Sequence, residues 1–338
     1  MTKGILSLPP LPADEDALPF ATYRNYVSAI LWIARDCFGS DFAGLHGTLT
    51  THPRYPGLAR GNIDLMQVRR HLRSAWSTEL AMAAFPSVCP GEAIRYANVW
   101  VPVQGYYAVF SALLAWLRAS GSTASSHRRV LDSIGEEMNT RVWLCPPWSV
   151  VCSGCPQLKR HTFARLDTEA NLTVSNLSPP RDRASAWGLV AKCLQTTRED
   201  TVYQAFDAWK RDRKNYRGGK PRKALRVAEK TNIADKVAPT SVFDFFYRMR
   251  IRTNYKDTDA FALGPWTEVQ AREFYRDVLD LTGSTLRFVE ILVSGRVGQS
   301  QFLHILSEFG RDSRVSLSDV PPVQYWLKAT GVPSLNGR

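Results

Sequence analysis

The chain has 338 residues, 44% of them apolar, enough to bury the core of one large domain or two. Its 43 Lys and Arg against 31 Asp and Glu leave a net charge of +12 and a pI near 9.6, which disfavours polycationic partners and favours polyanions such as nucleic acid. The charge is local: residues 209–230, "WKRDRKNYRGGKPRKALRVAEK", hold ten Lys or Arg and two acids, so eight of the twelve net charges lie in 22 residues.

From the start, "MTKGILSLPPLPADEDALPF" is proline-broken and acidic and reads as a loose arm over 1–20, neither signal nor transit peptide. The first helix is expected over 23–38, where Tyr26, Ile30, Ile33 and Cys37 recur at 3–4 spacing. Its apolar run "VSAILWIA" falls well short of the roughly 18–20 residues a membrane crossing needs, so no membrane partner is expected. A second helix spans 62–85, with Leu65, Val68, Leu72 and Trp76 on one stripe. A third covers 97–121 and ends at Gly121, with Trp100, Val103, Tyr107, Phe110, Leu114 and Leu117 aligned. A shorter helix over 125–141 closes an N-terminal helical block, 21–141.

The helical period then breaks. Residues 142–184 have paired prolines and scattered β-formers, with a short hairpin expected around "NLTVSN". Helix resumes over 185–215 and runs into the basic segment, broken at "GGKP". Residues 142–239 therefore read as an irregular and basic insertion. The block 240–318 returns to helix, with a strongly amphipathic stretch over 266–295, and 319–338 reads as a tail. The fold class expected is mainly α, a helical bundle carrying one insertion. Six cysteines at irregular spacing predict reduced thiols and a cytoplasmic location.

Three groups of residues carry candidate chemistry. The first is "FDFFYRMRIRTNYKDTDAF" (243–261). On one continuous helix, Phe243, Phe246, Tyr247, Arg250, Asn254 and Asp257 share a face, while Arg248 and Arg252 project from the other side as a solvated or phosphate-touching pair. An arginine beside aromatics needs a partner. Arg250, Asn254 and Asp257 read either as a packing network or as the lining of a phosphate-binding cleft. The second group is the basic segment: Lys210, Arg211, Arg213, Lys214, Arg217, Lys220, Arg222 and Lys223, interleaved with Trp209 and Tyr216, fits phosphate neutralisation with base stacking. The third is Cys145, Cys152, Cys155 and His161, where "CSGC" supplies one zinc knuckle without a second. Glycine-rich phosphate loops and nucleophile-elbow motifs are absent, no cofactor is implied, and His127 in "SHRR" reads as a surface histidine at a helix start.

Three stretches in order resemble the HEPN (higher eukaryotes and prokaryotes nucleotide-binding) family: "WVPVQGYYAVFSALLAWLRASG", "SSHRRVLDSI" and "FDFFYRMRIRTNYKD", the last with "NYKD" similar to an Ala-Asp-Tyr-like element. The resemblance covers roughly 95–141 and 240–295. It implies a helical bundle that binds RNA or another nucleic acid, in a toxin–antitoxin or antiphage defence setting. It further implies a homodimer or partner protein subunits. Arg250, Asn254, Asp257 and Tyr107 would form its site; in an endoribonuclease, Arg250 would stabilise the pentavalent phosphate and Asp257 would orient or deprotonate the 2′-hydroxyl. The chain departs from the family's ribonucleases, which place a histidine four to six residues after an arginine. No histidine here stands at that distance, and Ser111 stands where many relatives carry a polar histidine. The competing expectation is a non-catalytic nucleic-acid-binding or scaffold subunit.

Overall fold

The computed structural model describes residues 13–55, 63–88, 91–140, 145–216, 220, 222, 224–264, 266–315 and 319–331. In chain order the helices are α1 (Ala13–Phe38), α2 (Ala43–Thr50), α3 (Leu65–Val88), α4 (Ile94–Ala119), α5 (His127–Thr140), α6 (Arg183–Arg211), α7 (Val227–Asp235), α8 (Val242–Ile251), α9 (Thr258–Ala262), α10 (Glu268–Val297), α11 (Gln299–Asp312) and α12 (Pro321–Thr330). A single antiparallel hairpin, β1 (Val151–Cys155) and β2 (Arg160–Ala164), interrupts them among the described residues. The chain is mainly α, as its periodicity indicates.

Helix α4 is the axis. It packs against α3 on one side and α10 on another, with α8 and α9 closing a third. Gly105 permits the approach of α4 to α10, since a Cβ there would lie 2.6 Å from Thr282 Oγ1. Asn98 Nδ2 donates to the Ala271 carbonyl at 3.0 Å, and the Tyr275 hydroxyl donates to the Met82 carbonyl at 2.8 Å. Both ties are buried, where a missing partner would cost about 1–3 kcal/mol. Pro102 lies well inside α4, which begins at Ile94, and the Asn98 carbonyl thereby loses its helical donor. By length and composition one stretch among the described residues, Gly91–Ala119, is long and apolar enough to cross a membrane, and 72% of its most apolar window is buried inside the protein.

Among the described residues, 13–20 and 319–331 differ from the expected arm and tail, whose remaining residues, 1–12 and 332–338, lie outside the described ones. Residues 13–20 of the expected arm belong to α1, where Phe20 is buried and stacked on Trp266 at 4.0 Å. In the expected tail, α12 buries Trp326, whose indole donates to Glu290 Oε2 at 2.7 Å, and stops at Gly331 in the left-handed region. The hairpin also lies elsewhere. "NLTVSN" forms turns, with the Asn171 carbonyl against Gly188, while the strands fall on "VCSGC" and "RHTFA".

That placement removes the zinc site. Strand side chains alternate faces, so residues three apart point opposite ways. Cys152 packs in the main core and Cys155 in a satellite cluster with Val202, Phe206 and Ala234. Cys145 is buried in the main core, and His161 lies opposite Gly154 on β2. Burial pushes the Cys152 thiol up to about 12 and holds the Cys145 thiol well above its ordinary value, so both stay protonated. No cluster of three metal-ligating side chains occurs among the described residues.

The insertion is fastened by one buried arginine. Arg198 of α6 donates to the carbonyls of Gly154 (3.0 Å), Ala234 (2.9 Å), Val237 (3.0 Å) and Ala238. It thus ties the hairpin and α7 to α6, directly upstream of α8.

Candidate active site

Helix α8 starts at a reciprocal cap: the Asp244 carboxylate accepts from the Ser241 N–H at 2.9 Å and from its hydroxyl at 3.2 Å. Burial lifts the Asp244 carboxyl to about 6, opposed by these bonds and by Arg128. Phe243, Phe245 and Phe246 are all buried, because α4 covers one side of α8 and α6 another. The helix then opens into a π-turn over Arg252–Lys256, with the Asp257 N–H donating to the Arg252 carbonyl five residues back, at 2.8 Å. Residues 243–257 are therefore not one continuous helix.

This geometry separates the three alternating arginines, and not along the expected line. Arg248 does not face solvent. Its side chain is 14% exposed, its Nε lies 2.7 Å from Asp200 Oδ2, it donates to Thr196 Oγ1 at 2.6 Å, and it lies over the Tyr23 ring. Arg252 pairs with Asp257 at 3.4 Å. Asp257 is thus the partner of Arg252, not of Arg250, since the wider turn swings it away. Asn254 is half-buried on the same turn and has no bond to Arg250. The expected Arg250–Asn254–Asp257 network is not formed.

Arg250 instead sits among tyrosines. Its Nη2 donates to the Tyr107 hydroxyl at 2.9 Å, and its guanidinium carbon lies 5.1, 5.5 and 5.9 Å from the ring centroids of Tyr107, Tyr106 and Tyr247. Among the described residues no carboxylate pairs with it, and its Nε is buried without a partner. Aromatic faces offset part of the cost of holding this cation half-buried, yet leave it free to take an anion.

The same cage holds His127, the first residue of α5. Its Nδ1 is 2.5 Å from the Tyr106 hydroxyl, and its ring packs on Phe110 (4.5 Å), Tyr106 (5.6 Å) and Tyr247 (6.0 Å). Burial, then the charge of Arg250, lowers its pKa from the ordinary value. Its place at the positive end of a helix acts in the same sense. Tyr106 itself is held protonated, chiefly by burial. This bond runs either way with the tautomer; in the tautomer that carries its proton on Nδ1, the Tyr106 oxygen accepts and Nε2 is left as an acceptor. His127 is therefore no simple surface residue. It is half-buried, and the charge of Arg250 acts on it.

Tyr247 also forms a wall of a cleft of about 440 Å³ between α5, α6 and α8, lined by Arg128, Arg248, Arg252, Lys256 and Tyr203 among others. The end of α6 at this cleft leads into the basic segment. Arg211, Arg213 and Lys214 are exposed there, as is Lys220. Lys210 pairs with Asp207 at 3.1 Å, and Arg222 pairs with Glu229 and lies over the Trp209 ring at 5.5 Å. Arg217 and Lys223 fall outside the described residues.

Comparison with protein-family models, with curated proteins and with solved structures finds no match. The HEPN resemblance thus rests on the residues quoted for it. Of the four residues it placed in a site, Arg250 and Tyr107 come together, whereas Asn254 and Asp257 belong to the π-turn. His127 was missed because its contact spans three helices, and no spacing along one segment encodes it. The available signal was "YY" on a core helix followed, some 20 residues on, by a histidine opening the next helix.

Proposed function

We propose that this protein binds RNA and cleaves it as an endoribonuclease, using His127 as base and Arg250 as anion clamp. The observation that carries the reading is Arg250, with no carboxylate partner among the described residues, sharing a tyrosine cage with His127, whose pKa is lowered by burial and by Arg250. The 2′-hydroxyl of a bound nucleotide attacks the adjacent phosphorus while His127 Nε2 takes its proton. A 2′-O–P bond forms and the P–O5′ bond breaks. Arg250 holds the charge that builds on the non-bridging oxygens, and the leaving 5′-oxygen takes a proton from solvent. Tyr107, which binds Nη2, fixes the guanidinium plane. General-base action contributes about 10²–10⁴-fold and a positioned cation a comparable factor.

Eight of the twelve net charges lie in residues 209–230, the chain segment that continues from α6, one wall of the cleft, and they support a polyanionic substrate. The HEPN-like stretches favour a defence or toxin–antitoxin setting in a prokaryotic cytoplasm. The test is incubation of purified protein with end-labelled RNA, comparing wild type with Arg250→Ala and His127→Ala. Cleavage by wild type and a loss of two or more orders of magnitude in each variant, with binding retained, supports the reading. A wild-type protein that binds RNA but never cuts it supports the non-catalytic alternative.

A further inference from the structure

Helix α4 has 26 residues and is the most deeply packed element, yet three of its positions are exposed, and all three are aromatic. Tyr96 is 61% exposed, Trp100 57% and Tyr107 40%. They occupy i, i+4 and i+11, a single stripe down one side of the helix, spanning about 16 Å at 1.5 Å per residue. Tyr255, 65% exposed on the π-turn that packs against α4, adds a fourth ring. Large aromatic rings left this open, in line, are unusual on a surface and mark a binding face.

The stripe is continuous with the candidate active site, because Tyr107 is both its last ring and the hydroxyl that holds Arg250. Cations accompany it: Arg250 at its end and exposed Lys256 beside Tyr255. Rings with open faces next to unneutralised cations suit unpaired nucleobases on a phosphate chain, since every base has a stackable face and stacking is indifferent to sequence. A duplex buries those faces within its own stack and presents none to the stripe.

We infer that Tyr96, Trp100, Tyr107 and Tyr255 form a stacking platform that feeds single-stranded RNA, without sequence preference, into the His127–Arg250 cage. This rests on the ribonuclease reading and adds the substrate class: unpaired RNA of at least a few nucleotides on one side of the cut.

The test is equilibrium binding of the full chain to a 2′-O-methyl 12-mer, which cannot be cut, as a single strand and as a duplex. Trp100→Ala and Tyr96→Ala each weaken single-strand binding about tenfold, leave the salt slope unchanged and leave duplex binding unchanged. Trp100→Phe restores most of the affinity, which separates ring stacking from loss of structure. Wild-type binding that Trp100→Ala leaves intact overturns the platform while the ribonuclease reading stands. Absence of any RNA binding overturns both. If RNA is not bound and Trp100→Ala instead converts a dimer to monomers in sedimentation, the stripe is a self-association face and the inference is overturned.

Discussion

The Arg250 guanidinium donates to the Tyr107 hydroxyl across 2.9 Å, joining residues 143 positions apart and fixing α8 against α4 at the mouth of the candidate site. Its neighbours on either side in the alternating run, Arg248 and Arg252, are neutralised by Asp200 and Asp257. Arg250→Lys should therefore fail almost as fully as Arg250→Ala in single-turnover cleavage. A point charge replaces neither the planar stack on three rings nor the bond to Tyr107. Tyr107→Phe should cost less, roughly tenfold in rate.

The pH dependence follows from His127, whose pKa is lowered by burial and then by Arg250. The neutral form is the active base, so cleavage should rise with pH through a midpoint below the ordinary histidine value of about 6.5 and level off above it. Removing the positive neighbour in Arg250→Ala should move the His127 titration upward in an NMR-monitored series. An unchanged midpoint would place the two groups too far apart to cooperate.

A second perturbed group bears on stability. Glu79, buried beside Arg287 and near Glu290, has its carboxyl lifted to about 7 by burial, against the pull of Arg287. The folded protein then holds a proton that the unfolded chain releases near pH 4.5. This group's contribution is full below that value and is lost as pH rises through about 7. Asp244 and Asp277, each lifted to about 6 mainly by burial, act in the same direction. Denaturant titrations of Glu79→Gln between pH 5 and 8 should show a smaller fall in stability than wild type. Arg287→Met should destabilise by about 3–5 kcal/mol, because it leaves Glu290 buried with two indole donors and no cation.

Arg198→Met addresses the fastening of the insertion. It strips donors from four carbonyls in the β1 and α7 region, at about 1–3 kcal/mol for each that stays buried and unmet. Amide exchange in α7 should accelerate well before α4 or α10 is affected.

For the basic segment, charge reversal of Arg211, Arg213 and Lys214, all exposed, should lower the log–log salt slope of single-strand binding by about two units, at roughly 0.7 per phosphate contact. Charge reversal of Arg248 should instead destabilise the fold, since its partner Asp200 and the Tyr23 face are then left opposite an anion.

The helical segments were legible in the sequence because Tyr26, Ile30 and Ile33, or Phe274, Val278 and Leu281, repeat with the period of the buried stripe they form. The termini were less legible. Pro19 and the acidic residues before it mask the first turns of α1, and α12 is held by Trp326 and Glu290, a tie between distant elements. Within the candidate site, Arg250 stood out as a charge among aromatics. Its partners did not, for two physical reasons. The π-turn after Ile251 breaks the helical register that put Asp257 on the same face, and α6 covers the side of α8 that an isolated helix would show to water. The CxxC pair was ambiguous in the sequence because its meaning depends on whether the segment is loop or strand, and a strand splits it between two faces.

The most direct measurement is single-turnover cleavage of an end-labelled single-stranded RNA by wild type, Arg250→Ala and His127→Ala, with product ends identified and thermal melts run alongside. Wild type should leave 2′,3′-cyclic phosphate ends, and both variants should cleave at least a hundredfold more slowly at unchanged Tm. Undiminished cleavage by His127→Ala, or no cleavage by folded wild type, would contradict the ribonuclease reading.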